Sequence, residues 1–309
     1  MNTLLELHQV SKVYGTHKAL DEVSMQVPVG SVFGLLGPNG AGKTSLLRII
    51  NRITGPDSGE VFFGGERLNA SHSARIGYLP EERGLYKKME VGEQALYLAQ
   101  LKGMSRQEAL RRLKDWFERF EMKDWWKKRI EELSKGMQQK VQFIVTVLHE
   151  PELLVLDEPF TGFDPINAEL IRNELESMQR KGITILLSTH RMESVESMCS
   201  HIALIDRSRK LLEGPVRAIR AEYRQHIYSL DYSGSDTAML FELPSHAAVL
   251  SDVGVEGHRR ARLKLPDDSS IHSAISSVIG NRSLISFQEE IPSMQQIFIQ
   301  QVNQNRPHA

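Results

Sequence analysis

The chain has 309 residues, enough for two domains of about 150 residues, each with its own core. Its 38 basic and 39 acidic side chains leave a net charge of −1, which excludes a general nucleic-acid binder, and 40% hydrophobic with 25% charged residues excludes disordered and fibrous classes. The single cysteine, Cys199, cannot form an internal disulfide and points to a reducing compartment.

The opening MNTLLELHQV carries Glu6 inside its apolar run and no basic stretch, so it does not read as a signal peptide. Val23, Met25, Val27 and Val29 alternate with Ser24, Gln26 and Pro28, which predicts a half-buried edge strand that tolerates proline. Val32 to Leu36 reads as a buried strand, followed by a glycine-rich turn and a helix from Ser45 to Ile50. Residues 90 to 150 read as helical, with Leu110, Leu113, Phe117 and Phe120 forming one apolar stripe. All three tryptophans (Trp116, Trp125, Trp126) fall here and read as packing residues; Lys127, Lys128 and Arg129 read as a solvated face.

Buried strands are predicted at Leu153 to Leu156 and Ile183 to Leu187, joined by a helix from about Asn167 to Arg180 that ends at Gly182. Strands alternating with helices predict a mostly parallel sheet covered on both faces. No apolar run approaches the roughly 18 residues of a membrane-spanning helix. Near residue 223 the pattern changes. Tyr228, Leu230 and Tyr232, alternating with Ser229 and Asp231, and then Ala261, Leu263 and Leu265, alternating with Arg260, Arg262 and Lys264, predict strands with one wet face. Helical stripes follow at Ile271, Ala274, Ile275, Val278 and Ile279, with Ser269 or Ser270 as N-cap and Gly280 beyond, and at Met294, Ile297, Phe298 and Val302 after Pro292. A small separate α+β domain over 223–309 is therefore expected. His226, His246, His258 and His272 lack ligand spacing and read as surface residues.

Gly37-Pro38-Asn39-Gly40-Ala41-Gly42-Lys43-Thr44, followed by Ser45, matches the phosphate-binding pattern between a strand and a helix. Its glycines permit backbone angles that turn N–H groups toward phosphate oxygens at the positive end of the next helix. Lys43 supplies a point charge to the outer phosphates, and the Thr44 hydroxyl a ligand for Mg²⁺. Asp157 and Glu158 end the buried strand at 153–156, where parallel sheets bind ligands. Asp157 is suited to holding Mg²⁺ through water, and Glu158 to polarising the attacking water.

Around these residues lie Leu133-Ser134-Lys135-Gly136-Met137-Gln138-Gln139, Phe163-Asp164-Pro165 and Ser188-Thr189-His190. Taken in this order over about residues 4 to 220, the motifs resemble the ATP-binding subunits of ABC transporters. The resemblance implies a P-loop NTPase cassette of the α/β class: a mostly parallel sheet, an antiparallel β-subdomain and a helical subdomain at about 88–150, within an ATP-binding domain over 1–222. It also implies Tyr14 as the aromatic that stacks on adenine, Ser134 and Gly136 as the signature closing on the γ-phosphate held by the opposite subunit, and Asp164 as the loop between two active sites. His190 takes the place of the switch histidine at the γ-phosphate.

The signature reads LSKGM where LSGGQ is commonest, but the hydroxyl and second glycine remain. Glu81 stands where the family usually has glutamine; its oxygen can still face Mg²⁺, at the cost of an added negative charge. TGFDP in place of SGLDP looks conservative. The stretch Pro80-Glu81-Glu82-Arg83-Gly84-Leu85 and the C-terminal domain resemble a subset of bacterial exporter ATPases of the sodium-efflux and multidrug type.

The expected function is thus an ATP-binding and ATP-hydrolysing subunit of a transporter, an exporter by resemblance. It would work as a homodimer with ATP and Mg²⁺ on the cytoplasmic face of the membrane, energising separately encoded permease subunits, with no nucleic-acid partner. The alternative is a soluble ABC ATPase acting on nucleic acid or ribosomes. A cassette that binds without turnover is countered by the presence of Lys43, Asp157, Glu158 and His190 together.

Overall fold

The computed structural model describes residues 2–82, 84–234, 243–279 and 282–305. Arg83 and Gly280, both singled out in the sequence, lie outside the described residues. The chain divides into two compact units, Met1–Val216 and Arg217–Ala309.

The first unit runs β1 (Thr3–Tyr14), β2 (His17–Pro28), β3 (Val32–Leu36), α1 (Lys43–Ile50), β4 (Ser58–Phe63), β5 (Glu66–Arg67), β6 (Ile76–Leu79), α2 (Val91–Leu101), α3 (Arg106–Arg119) and α4 (Lys135–Val147). It continues with β7 (Leu153–Asp157), α5 (Pro165–Arg180), β8 (Thr184–Thr189), α6 (Met192–Met198), β9 (His201–Asp206) and β10 (Arg209–Pro215). Every residue of β3, β7 and β8 is buried, as expected of strands covered on both faces. They form the middle of a six-stranded sheet of order β10-β9-β3-β8-β7-β6, parallel except where β10 joins. A four-stranded antiparallel sheet, β2-β1-β4-β5, shares its core with the larger one through Leu5, Phe63, Leu35, Val155 and Ile205. The expected edge strand is β2, with Val23, Met25 and Val27 inward and Pro28 at its end.

In the helical region Leu113, Phe117 and Phe120 are buried, while Leu110 is only half-buried. Trp116 packs on Phe120 and Phe143, and Trp126 on Phe117, so these two rings are packing residues. Lys127, Lys128 and Arg129 are exposed. The helix expected from Asn167 starts two residues earlier at Pro165, because the Asp164 carboxylate accepts the Asn167 N–H at 2.9 Å and proline fits the first helical position. It ends at Arg180, with Lys181 as C-cap and Gly182 beyond at φ 92°.

The second unit takes in most of α7 (Val216–Glu222), then β11 (Ile227–Ser233), β12 (Ala248–Val255), β13 (His258–Lys264), α8 (Asp268–Ile279), β14 (Leu284–Glu289) and α9 (Met294–Gln304), with sheet order β12-β13-β11-β14. Leu230, Tyr232, Leu263, Ala274 and Val278 build its core. Two sequence expectations are corrected here. Asp231, expected on a wet face, is buried because it pairs with Arg260 at 2.6 Å and accepts from Ser286. The N-cap of α8 is Asp267, not Ser269 or Ser270: its carboxylate accepts the Ser270 N–H at 2.7 Å, and the Ser270 hydroxyl accepts the Asp267 N–H at 3.3 Å. His226, His246 and His272 are exposed and His258 half-buried. No helix among the described residues is long and apolar enough to cross a membrane.

Candidate nucleotide site

The loop from Gly37 to Gly42 joins β3 to α1, and its glycines are required sterically. A Cβ on Gly37 would lie 2.1 Å from the Ile205 carbonyl oxygen, and one on Gly42 2.3 Å from that of Ala19. Both residues also have positive φ, 152° and 110°. The loop therefore lies flush against β9 and β2 at the head of α1, where backbone N–H groups gather an anion.

Lys43, only 7% exposed, donates from Nζ to the carbonyls of Gly37 at 2.7 Å and Pro38 at 3.1 Å. Burial lowers its pKa, while the charges of Glu158, Asp157 and Glu81 raise it. Asp157, 3% exposed at the end of β7, accepts from the Thr44 hydroxyl at 3.2 Å. Burial pushes its carboxyl above the usual range and Glu158 adds to this, against the Thr44 hydrogen bond and the Lys43 charge.

Glu158 takes a left-handed backbone, φ 49°, which turns its side chain out of the strand line. The carboxylate is held by the His190 N–H at 3.0 Å, by Nδ1 of the His190 ring at 2.7 Å and by the Thr189 hydroxyl at 3.3 Å. This carboxylate–imidazole pair stands at the ends of β7 and β8.

A cavity of about 360 Å³ joins these groups. Of the residues singled out in the sequence, Tyr14, Asn39, Gly40, Gly42, Lys43, Thr44, Ser45, Glu81, Asp157, Glu158 and His190 line it. Gly37 and Pro38 act through carbonyls that hold Lys43, and Ala41 is buried in the loop. Ser134, Gly136 and Asp164 are not among the lining residues. Ser134 caps α4 and Asp164 caps α5. Asp164 has a lowered pKa because the backbone of Asn167 donates to it. His17 and Ala19 also line the cavity and were missed in the sequence. His17 is the register partner of Tyr14 across the two-residue Gly15-Thr16 turn between β1 and β2.

A buried carboxylate beside a hydroxyl is a hard-oxygen donor pair of the kind Mg²⁺ uses when phosphates and waters complete its shell. Among the described residues no group of three or more His, Cys, Asp or Glu forms a cage for a metal. The donor set therefore fits a cation that arrives with a phosphate ligand.

A phosphate loop at the head of a helix, an acidic strand end and a carboxylate–imidazole pair around one cavity define a P-loop nucleotide-binding protein. Residues 20–161 match the family profile described as ABC transporter, and residues 214–302 that of the ATP-binding protein DrrA1-3-like C-terminal domain. The chain is 40% identical over 299 residues to the uncharacterized ABC transporter ATP-binding protein YhaQ of Bacillus subtilis, covering 97% of this chain and 98% of that one. Against the Nod factor export ATP-binding protein I of Cupriavidus metallidurans it is 35% identical over 217 residues, covering 69% and 72% of the two chains. A solved ATP-binding subunit of an ABC transporter superposes with a TM-score of 0.67 at 31% identity, covering 72% of this chain and 93% of that one. The chain belongs to the ATP-binding subunits of ABC transporters, and it carries a DrrA-like C-terminal domain.

Proposed function

We propose that this protein hydrolyses ATP with Mg²⁺ and that a homodimer of it drives export through permease subunits on separate chains. The observation that carries this reading is the meeting of Lys43, Asp157, Glu158 and His190 on one cavity. In it, Tyr14 stacks on adenine, the 37–45 loop and Lys43 hold the phosphates, and Thr44, Asp157 and Glu81 face Mg²⁺, which when bound screens the phosphate charge and orients the terminal phosphoryl group. Glu158 accepts a proton from the attacking water. His190 keeps that carboxylate aimed and contacts the γ-phosphate, a role suited to a ring that donates on one side and accepts on the other. Because Ser134, Gly136 and Asp164 stand off this cavity, they are free to close on the cavity of a second copy, head to tail.

Transport coupling runs through the surface near Glu81 to Lys88, where Tyr86 is exposed and stands edge-on to Tyr97 on α2. The working location is the cytoplasmic face of the membrane, held there by the permeases. Affinity capture of the full chain from its own membranes tests this. An integral membrane protein should co-purify, and ATPase activity should be higher in that complex than in the isolated chain. Capture of nucleic acid or ribosomes without a membrane protein would overturn the assignment.

We further propose that residues 1–222, with the helical subdomain at about 88–150, form the ATP-binding domain and that 223–309 regulate it or brace the dimer. Truncation after residue 222 should lower ATP-dependent dimerisation in sedimentation by about tenfold or more, as expected when a second linked contact is lost. Unchanged association would end the bracing role.

A further inference from the structure

Besides the phosphate loop and the carboxylates, the cavity is lined from the β1–β2 hairpin by His17, Ala19 and the Tyr14 ring, which is 44% exposed. An exposed aromatic at a strand end hops between rotamers on the ps–ns timescale, and a ring that wanders is a poor stacking surface. In this chain it is supported from behind. Lys12 and Tyr14 lie two residues apart on β1, hence on the same face. The Lys12 ammonium sits over the Tyr14 ring at 5.5 Å from its centroid, within cation–π range. Lys12 does not line the cavity and its side chain is only 13% exposed, whereas Tyr14 does line it.

The ammonium is itself fixed. Asp57, in the segment leading into β4, accepts from Lys12 Nζ at 2.8 Å and from the Val13 N–H at 2.6 Å. Its own N–H donates to the Ser11 carbonyl at 2.9 Å. Those contacts hold the Asp57 carboxylate to its ionised form, with its pKa lowered first by Lys12 and then by Val13. One aspartate thus ties down three successive residues of β1, Ser11 to Val13, immediately before Tyr14.

We infer that Lys12, pinned by Asp57, is a positioning residue for nucleotide binding: it occupies one face of the Tyr14 ring and so presents the other, already ordered, to the base. The inference rests on the proposed role of Tyr14 as the base platform. Ordering the ring before the ligand arrives removes a cost from binding, so the effect falls on affinity and not on the chemical step.

Isothermal titration of the full chain with Mg²⁺ and either ATP or inorganic tripolyphosphate tests this. Lys12→Met should weaken ATP about three- to fivefold, the size of one exposed cation–π contact, with kcat held within about twofold. Tripolyphosphate, which has no base, should bind as before. Lys12→Arg should restore ATP affinity, and Asp57→Asn should reproduce the Lys12→Met loss should that variant not fold. In a Tyr14→Ala background, Lys12→Met should add nothing. Equal weakening of ATP and tripolyphosphate, or additive losses in the Tyr14→Ala background, would overturn the role of Lys12 while leaving the platform intact. Unchanged ATP affinity in Tyr14→Ala alone would remove the platform, and the inference with it.

Discussion

Glu158→Gln is expected to cut phosphate release by about 100-fold or more while ATP still binds, the range lost when a positioned general base is removed. The amide keeps nearly the same shape: its oxygen can still accept from the His190 N–H, 3.0 Å from one carboxylate oxygen, and its NH2 can donate to the Thr189 hydroxyl oxygen, 3.3 Å from the other. It cannot take a proton from water at neutral pH. Binding should persist because the phosphate loop, Lys43 and Tyr14 are untouched, so nucleotide should accumulate uncleaved and hold two copies together. Single-turnover phosphate release and light scattering with ATP read the two effects separately. A release rate within about threefold of the parent chain would take the base role away from Glu158.

Lys43→Ala should raise the ATP dissociation constant by about 100-fold, on the order of 3 kcal/mol, the upper range for hydrogen bonds to a charged group. Lys43 is the cation that faces Asp157, Glu158 and Glu81 in the cavity. Its ammonium donates to the carbonyls of Gly37 and Pro38, contacts it can exchange for phosphate oxygens when a triphosphate enters. Removing it leaves carboxylates facing a polyanion with less positive charge between them. Titration with a fluorescent ATP analogue measures the loss, with circular dichroism as the folding control. Affinity within about threefold of the parent chain would move the phosphate site elsewhere.

Glu81 adds one carboxylate to a cavity that already holds two. The sequence flagged it as a departure; its position among the lining residues makes that charge part of the site. Lys135 and Met137, the departures in the signature, sit at the start of α4, outside the cavity.

Local patterns in the chain determined the chemistry. A phosphate loop must have its glycines, lysine and threonine adjacent in sequence because successive backbone N–H groups do the binding, so the motif is complete within eight residues. Short apolar runs at 32–36, 153–156 and 185–187 marked β3, β7 and β8 for the same reason: a strand covered on both faces needs no polar alternation.

What only the tertiary structure decided is whatever depends on pairing between distant segments. β12 and β14 escaped notice because edge strands of a small sheet expose many of their residues and lose the apolar period. The alternation of β11 predicts a solvent-facing Asp231, and Arg260, 29 residues away, accounts for its burial. The Lys12–Asp57 support behind Tyr14 depends on a contact 45 residues apart in sequence. The composition of the chain says which groups can meet a nucleotide, but packing alone says from which side each one arrives.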